Sequence, residues 1–514
     1  MKTNIVVVLA TLLLGLIVTL PSGAQTWHNP QFDATAAEEE AYWYSRYNLG
    51  HLTMRSGLGE TFMPAPAMVQ QMIKMVDSNT GDGDTATPPQ GVALLRVVYA
   101  GGDPHWTQEP DPMDFTTMRW DPAKFDKHVT GAATGWTMIK ELEWAKQFHV
   151  DFHFGKPTDP FGAQWRFVGM VMFTMAKMQA QSWLTLHSQG KVEMADRSDP
   201  FVMLLALSDL VQVLGADKLP HSSSNRYRDP QAAAMFLQTA EEQFDRVAQM
   251  TAEDMNVKEL ATAVQGLVWF AAADQDRGRK LAALRLIKDL GERLLRASGE
   301  TAAEKGYLIR GLIEAYRATK ATKFKAAAVR VFDELAAEYD PAYGVFKSQN
   351  TYTIDDMAAI VGGLNAVKLF GGADEAQVEK IFTGFFESAV NRSGLQLSVP
   401  PKEESKGRFE QFEPDIYYGY PTIPRPRQAG GPFGIAPVFA KSVTFDPQAG
   451  KWTEIDRYFD TAGAMHAANE FIWLHHDEVN GFPEVALPQG GFNLVLILLL
   501  LGLVALAALL LLKP

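Results

Sequence analysis

Two histidines and an aspartate alternate along one short apolar segment. Between Phe148 and Phe154, His149, Asp151 and His153 occupy every second position. In a β-strand, every second side chain lies on the same face. Two imidazoles and a carboxylate are suitable ligands for zinc, copper or iron, so this face is a candidate metal site. The sequence leaves a plainer alternative open, an edge strand whose histidines are satisfied by hydrogen bonds.

A second histidine group lies near the end of the chain. His466 and Glu470 are four residues apart on one predicted helix, and His475 and His476 follow it. If this helix packs beside the first group, the two groups together form one metal site. Histidines near a helix C-terminus are also stabilised there by the helix dipole, which is the structural alternative. No organic cofactor is predicted. The candidate metal ligands are His149, Asp151, His153, His475 and His476.

The common catalytic strings are missing from this sequence. It contains no GxxxxGK[ST], GxSxG or HExxH string and no glycine fingerprint after a strand. The chain also has no cysteine. Disulfides, thiolate metal sites and cysteine nucleophiles are therefore excluded.

The middle of the chain is a repeat of helical hairpins. Gly266, Gly311 and Gly363 occupy equivalent places in three predicted helices, separated by 45 and then 52 residues. The helix after Gly266, at 281–287, also matches 326–332. A glycine inside a helix costs about 1 kcal/mol relative to alanine. Its recurrence predicts that neighbouring helices approach closely at these positions.

Units of this length are longer than tetratricopeptide or ankyrin units, which leaves an open two-helix solenoid or a closed ring of six hairpins. The repeat, together with Tyr339 to Phe346 leading into Thr353 to Met357, resembles the (α/α) toroids of the six-hairpin glycosidase superfamily. The resemblance covers Phe161 to Asn391 as a pattern, without a unique catalytic signature. The predicted helices are 135–148, 161–187, 200–214, 230–250, 257–273, 279–296, 303–319, 324–339, 353–370, 375–390 and 456–474. Because they approach twelve, we predict a mainly α fold, an (α/α)6 toroid with an irregular, β-containing proline-rich cover over 395–451.

The resemblance implies a sugar site on the loop from Tyr339 to Asp356. Asp355 or Asp356 would be a general acid or base, with Glu413 or Asp415 of the cover as its partner. The aromatic rings that would stack on sugars are Tyr343, Phe346, Tyr352, Tyr417 and Tyr418. Thr353 with Asp356 three residues later also fits a helix cap, and tyrosines between prolines often pack on the helices beneath them.

Both ends of the chain are apolar. Lys2 precedes the apolar run 5–20, which predicts a signal peptide cleaved after Ala24. Residues 494–512 are nineteen apolar or small residues, twelve of them leucine. A helix of that length covers about 28 Å, which predicts a transmembrane helix. The predicted divisions are 1–24 signal peptide, 25–134 N-terminal region, 135–480 toroid, 481–493 linker and 494–512 membrane span.

The charge balance limits the partners. The chain has 47 basic and 60 acidic residues and a net charge of −13, without long runs of one sign. This argues against nucleic acid, and against an anionic lipid surface as the main partner. We therefore predict a single-pass, extracytoplasmic protein that binds, or binds and processes, a glycan or similar polar ligand. If it is an enzyme, its activity would be glycoside hydrolase-like or polysaccharide lyase-like. The alternatives are a non-catalytic scaffold for an envelope protein and a histidine-based metal-binding protein.

Overall fold

The computed structural model describes most of the region between the two apolar ends. The described residues are 56–77, 93–104, 119–149, 162–219, 222–251, 254–393, 441–456 and 458–472, with isolated positions between 32 and 53 and at 107–108, 483 and 485.

These residues form a mainly helical structure with small sheets. The predicted helices between 135 and 474 are confirmed, most of them to within a few residues at each end. The helices are α1 (Pro66–Asp77), α2 (Gly131–Gln147), α3 (Gly162–Ser188), α4 (Asp199–Gly215), α5 (Pro230–Met250), α6 (Val257–Ala273), α7 (Arg277–Leu294), α8 (Ala302–Thr319), α9 (Thr322–Glu338), α10 (Ile354–Ala366), α11 (Glu375–Phe385) and α12 (Thr461–Ile472). Helices α10 and α11 continue as π-helical turns, Val367–Gly371 and Phe386–Asn391.

The even-numbered helices contact one another in a closed order. Helix α2 packs against α4, α4 against α6, α6 against α8, α8 against α10, α10 against α12, and α12 against α2. Helices α3, α5, α7 and α9 each pack on the even-numbered helix that precedes them. The even-numbered helices are buried over most of their length, whereas α5, α7 and α9 bury only one stripe. The even-numbered helices are therefore an inner layer and α5, α7 and α9 belong to an outer one.

The repeated glycines lie where one inner helix crosses the preceding one. A Cβ at Gly266 would lie 2.6 Å from the Phe201 carbonyl oxygen, and one at Gly311 would lie 3.0 Å from the Ala261 Cα. A Cβ at Gly363 would lie 2.7 Å from the Gly306 carbonyl oxygen. Real Cβ atoms essentially never come within 3.0 Å of another heavy atom, so Gly266 and Gly363 require glycine, whereas a side chain at Gly311 would require its neighbours to shift by a few tenths of an ångström. The close approach predicted from the repeat is confirmed.

Capping boxes start three inner helices. Asn256 with Glu259, Thr301 with Glu304, and Thr353 with Asp356 exchange side-chain and backbone hydrogen bonds at the starts of α6, α8 and α10. Such caps satisfy amide groups that a helix start leaves without partners. They fix the first turns of these helices, which carry the site described below.

The strands are short, with two to six residues each. They are β1 (Gly59–Phe62), β2 (Leu94–Val98), β3 (Gly101–Gly102), β4 (Phe125–Asp126), β5 (Tyr339–Asp340), β6 (Val345–Phe346), β7 (Thr351–Thr353), β8 (Ser442–Asp446), β9 (Lys451–Asp456) and β10 (Phe459–Asp460). The last predicted helix begins at Thr461, not 456, because β9 and β10 occupy the preceding residues. Strand β8 lies between β7 and β9 in an antiparallel sheet, and β7 ends directly before α10.

The N-terminal region shares the core of the inner helices. The Tyr44 hydroxyl donates to the Asn391 side chain, and the Ser45 hydroxyl donates to the Ala468 carbonyl. Tyr44, Leu58 and Leu94 belong to the same hydrophobic core as α2 and α4. The predicted boundary at 134 therefore does not separate two cores.

Several predicted segments lie outside the described residues. They are the signal peptide at 1–24, most of the proline-rich cover, most of the linker and the membrane span at 494–512. Among the described helices, none combines the length and the apolar character that crossing a bilayer requires.

Candidate functional site

Four inner helices bring side chains together around one carboxylate. Asp355 is the second residue of α10. Its Oδ1 lies 2.8 Å from His466 Nδ1 of α12, and its Oδ2 accepts a 2.8 Å hydrogen bond from the Tyr307 hydroxyl of α8. Lys258 Nζ, from the first turn of α6, lies 3.0 Å from the same Oδ2. Two cationic groups and one phenol therefore converge on Asp355.

Lys258 also joins the loop before α4 to this site. Its Nζ lies 3.0 Å from Asp196 Oδ2. The Asp196 Oδ1 accepts hydrogen bonds from the backbone N–H and the hydroxyl of Ser198. The side chains of Lys258 and Asp196 are 37% and 41% exposed, and that of Asp355 is 20% exposed. This edge of the site is therefore open to solvent.

His466 lies between two aromatic rings and two carboxylates. Its ring stacks on Trp136 with centroids 4.5 Å apart, and Tyr307 lies on a nearly parallel plane at 6.0 Å. Its Nε2 lies 3.6 Å from Glu470 Oε1. Burial by itself lowers the pKa of His466, but the contacts with Asp355 and Glu470 outweigh burial and raise it. The ring is therefore held as an imidazolium ion over a wider pH range than a free histidine.

The neighbours of Asp355 fix its charge. Burial by itself raises the pKa of Asp355, but Lys258, His466 and Tyr307 lower it far below its ordinary value. Burial lowers the pKa of Lys258, yet Asp355 and Asp196 outweigh burial and raise it. Burial and Asp355 raise the pKa of Tyr307. At neutral pH the site thus holds an ionised carboxylate, an ammonium ion and a neutral phenol that donates.

A second carboxyl group with the opposite shift lies beside Asp355. Asp460 directly precedes α12 and accepts a hydrogen bond from the Gly463 amide. A Cβ at Gly463 would lie 3.2 Å from Asp460 Oδ2 and 3.3 Å from the Asp355 Cβ. Burial and the Asp355 charge raise the pKa of Asp460. Neighbouring carboxyl groups whose pKa values move apart are suited to separate acid and base roles.

We refer to Asp196, Lys258, Tyr307, Asp355, Asp460 and His466 as the Asp355 cluster. Glu470 of α12, which faces His466, is also the first member of a chain of buried ion pairs between α12 and α8. Arg310 lies 3.8 Å from Glu470 and 3.4 Å from Glu314, and Arg317 lies 3.6 Å from Glu314. This chain of ion pairs supports Glu470, which in turn faces His466.

The predicted residues of the 339–356 loop have different environments. Asp356 accepts a 2.8 Å hydrogen bond from the Thr353 amide as part of the capping box, so its side chain is committed to starting α10. Phe346 and Tyr352 are fully buried, and the Tyr352 hydroxyl donates to the Gln349 carbonyl. These two rings have no exposed face on which a sugar could stack. Tyr343 is partly exposed and packs against Phe445 at 5.3 Å between centroids.

The structure gives His149 hydrogen-bond partners on both ring nitrogens. Its Nδ1 lies 2.9 Å from the Ser222 hydroxyl, and its Nε2 accepts from the Arg226 amide. In this arrangement neither nitrogen is open to a metal ion. Within the described part of the chain, no three histidine or acidic side chains are grouped so as to hold a metal ion. The other predicted residues lie outside that part: Asp151, His153, Glu413, Asp415, Tyr417, Tyr418, His475 and His476.

The sequence alone identifies Asp355 as a site residue but not most of the side chains that surround it. Lys258, Tyr307, Asp196 and Asp460 come from four separate places in the chain. Their shared signal is position, because each lies at the start of an inner helix. Lys258 is in the first turn of α6, Tyr307 is in the second turn of α8, and Asp196 and Asp460 precede α4 and α12. The sequence places His466 and Glu470 on one helix face, and the structure confirms this and adds Asp355 as the closer partner of His466.

Asp199, the first residue of α4, gives the stability of the protein a testable pH dependence. Burial raises its pKa to about 6. A raised carboxyl pKa adds stability that is fully present below the unfolded value, near 4, and is lost as the pH rises through 6. We expect Asp199→Asn to be relatively more stable at pH 7 than at pH 4, with the difference from wild type changing by about 2 kcal/mol. Urea unfolding of both proteins at the two pH values measures this, and a constant difference would contradict the assignment.

Comparisons with known proteins do not assign a family. No protein-family model matches the chain, and no curated protein matches it. The chain is similar to the crystal structure of a sugar epimerase from a ruminal bacterium, with 10% sequence identity, coverage of 78% of this chain and 98% of that chain, and a TM-score of 0.37. At that TM-score the likeness supports no conclusion about fold or activity.

Proposed function

We propose that this protein is an (α/α)6 toroid that binds and processes a glycan or similar polar ligand at the Asp355 cluster. The closed order of contacts among the six inner helices supports the ring. The convergence of Lys258, Tyr307 and His466 on Asp355 carries the functional part of the proposal. We further propose that the terminal segments 1–24 and 494–512 export the protein and tether it to a membrane.

The cluster has the properties that sugar binding requires. Ionised Asp355 accepts hydrogen bonds strongly, while partly exposed Lys258 and Asp196 offer a donor and an acceptor. Charged partners make stronger hydrogen bonds than neutral ones, and sugar hydroxyls can pair with both kinds. A polar, partly open site of this composition suits a neutral polyhydroxylated ligand.

The paired carboxyl groups support processing of a glycosidic bond. Asp460, whose pKa burial and Asp355 raise, would be the general acid that protonates the leaving oxygen and would then accept a proton from the water that adds to the anomeric carbon. Asp355, which stays ionised, would stabilise the positive charge that develops on the sugar ring. Both roles follow the direction in which the surroundings shift the pKa values of these groups. The non-catalytic scaffold alternative requires neither.

A glycan-binding screen with a matched variant pair tests the proposal. The full-length protein in detergent is applied to an array of neutral, amino and acidic oligosaccharides. We expect Tyr307→Phe to lower the affinity for any bound glycan about tenfold to a hundredfold, because it removes a donor to an ionised carboxylate. Tyr316→Phe, in the same helix but away from the cluster, is the control and should bind like wild type. Absence of glycan binding by the wild-type protein would favour the scaffold alternative.

A further inference from the structure

A buried carboxylate of α12 occupies the space that a side chain at position 362 would need. A Cβ at Gly362 of α10 would lie 2.5 Å from Glu470 Cδ and closer still to its Oε2. The next residue, Gly363, faces the Gly306 backbone of α8 instead. The two adjacent glycines therefore have different roles. Gly363 lets two inner helices cross, whereas Gly362 leaves room for the Glu470 carboxylate.

Glu470 lies between two cationic groups. Its side chain is 1% exposed, with Oε2 3.8 Å from Arg310 Nη1 and Oε1 3.6 Å from His466 Nε2. A carboxylate this deeply buried keeps its charge only where cations compensate it. Arg310 is also shared with Glu314, at 3.4 Å. An imidazolium at His466 is therefore part of the compensation that Glu470 requires.

Contacts with α2 hold His466 in this direction. Trp136 stacks on its ring, and the side-chain amide of Asn469 donates to the Trp136 carbonyl at 3.0 Å. Lys140 pairs with Glu143 at 3.1 Å and donates to a carbonyl of α12. The imidazole ring therefore has little freedom to turn either nitrogen away from its carboxylate.

Among the described residues, the charged and titratable groups around His466 come from its own helix and from the elements packed around it. Burial lowers the pKa of His466, while Asp355 and Glu470, the carboxylates at its two ring nitrogens, raise it. The other groups lie beside one of these carboxylates or pair with each other. They are Tyr307 and Arg310 of α8, Asp356 of α10, Asp460 of β10, Lys258 of α6, and Lys140 with Glu143 of α2.

We propose that Glu470 is a positioning residue for the Asp355 cluster and that Gly362 provides the space for its carboxylate. With Glu470 at Nε2, His466 is an imidazolium that directs its Nδ1–H at Asp355 in a charge-assisted hydrogen bond. Without Glu470, His466 would lose its proton at a lower pH, and Asp355 would lose one of its two cationic partners. The consequence for ligand binding rests on the proposed function, whereas the protonation of His466 does not.

The protonation of His466 can be measured without a ligand. The full-length protein in detergent is labelled with carbon-13 at the histidine Cε1 atoms, and the His466 signal is identified by its loss in His466→Gln. We expect Glu470→Gln to lower the His466 pKa, because the amide keeps the shape of the side chain but not its charge. Gly362→Ala should lower it too, since the added methyl group displaces the Glu470 carboxylate without changing any titratable group.

A buried carboxylate elsewhere in the inner layer is the control. Asp209 of α4 is 3% exposed and lies 3.0 Å from Lys146 of α2. Asp209→Asn also breaks a buried ion pair and should cost stability, but it should leave the His466 pKa close to the wild-type value. An equal decrease in this control would mean that any loss of packing, and not Glu470 itself, controls His466.

The remaining outcomes separate this proposal from the proposed function. An unchanged His466 pKa in Glu470→Gln and Gly362→Ala, or a wild-type His466 that titrates below an ordinary histidine, would overturn the proposal. With a glycan from the binding screen, affinity should begin to fall at a lower pH in Glu470→Gln than in wild type. A pKa change without this shift would overturn the role of Glu470 in the ligand site. If no glycan binds, the proposed function fails, and the NMR titrations alone decide whether Glu470 positions His466.

Discussion

Alanine at Gly363 is expected to destabilise the protein by about 1 to 3 kcal/mol, and leucine at this position to prevent folding. The Cβ of alanine would lie 2.7 Å from the Gly306 carbonyl oxygen and 2.8 Å from the Gly306 Cα. Both atoms belong to the backbone of α8, so α8 and α10 must separate to accommodate the side chain. This opposes the gain of about 1 kcal/mol that alanine normally brings to a helix. Urea unfolding followed by circular dichroism measures the difference.

A second glycine at a helix end provides the control. Gly215 is the last residue of α4, and a Cβ there would meet only the Ala233 Cβ, at 3.8 Å, an ordinary contact. Gly215→Ala should therefore be neutral or slightly stabilising, because it restricts the unfolded chain. Equal effects of the two substitutions would show that the crossing of α8 and α10 is less tight than the structure indicates.

Asp355→Asn is expected to abolish glycan processing, with a loss of about a hundredfold to ten-thousandfold in turnover. Asparagine keeps the shape of the side chain but loses the charge that would stabilise the positively charged sugar ring. Lys258 retains Asp196 and His466 retains Glu470, so the fold should persist with a stability loss of about 2 to 3 kcal/mol. Turnover on a glycan identified by the binding screen measures the functional part, and urea unfolding measures the structural part.

Asp356→Asn is the matched comparison one residue away. Its carboxylate belongs to the capping box with Thr353, so the expected cost is about 0.5 to 2 kcal/mol of stability with turnover retained. Loss of turnover in Asp356→Asn alone would exchange the proposed roles of the two aspartates. Loss of stability in both variants, without any change in ligand binding, would mean that Asp355 also serves only to start the helix.

Local patterns predicted the helices because each one is specified by neighbouring residues. The 3.6-residue periodicity and the Thr353 cap are local signals, and this cap forms as expected. The close approach of helices at Gly266, Gly311 and Gly363 was predicted because glycine, which is unfavourable inside a helix, recurs there at equivalent positions. Such a recurrence indicates a packing requirement. The helix predicted from 456 was too long at its start, since β10, directly before the helix, pairs with the distant strand β3.

The aromatic prediction shows the limit of reasoning from residue type. Phe346 and Tyr352 stand in the loop where a sugar platform was predicted, yet both are buried against Phe385. The same aromatic residue type can stack on a ligand or fill a core. Only the burial of its ring in the folded protein distinguishes the two roles.

By itself, the sequence determined the helical class, the length of the repeated hairpin, the close helix crossings at the repeated glycines and the absence of cysteine chemistry. The tertiary structure decided which side chains meet. Asp196, Lys258, Tyr307, Asp355 and His466 come from a loop and four inner helices spread over 271 positions. Their charges and pKa shifts arise from contacts of 2.8 to 3.0 Å that no spacing along the chain encodes. Helices are set by near neighbours, whereas the electrostatics of a site depend on residues that only folding brings together.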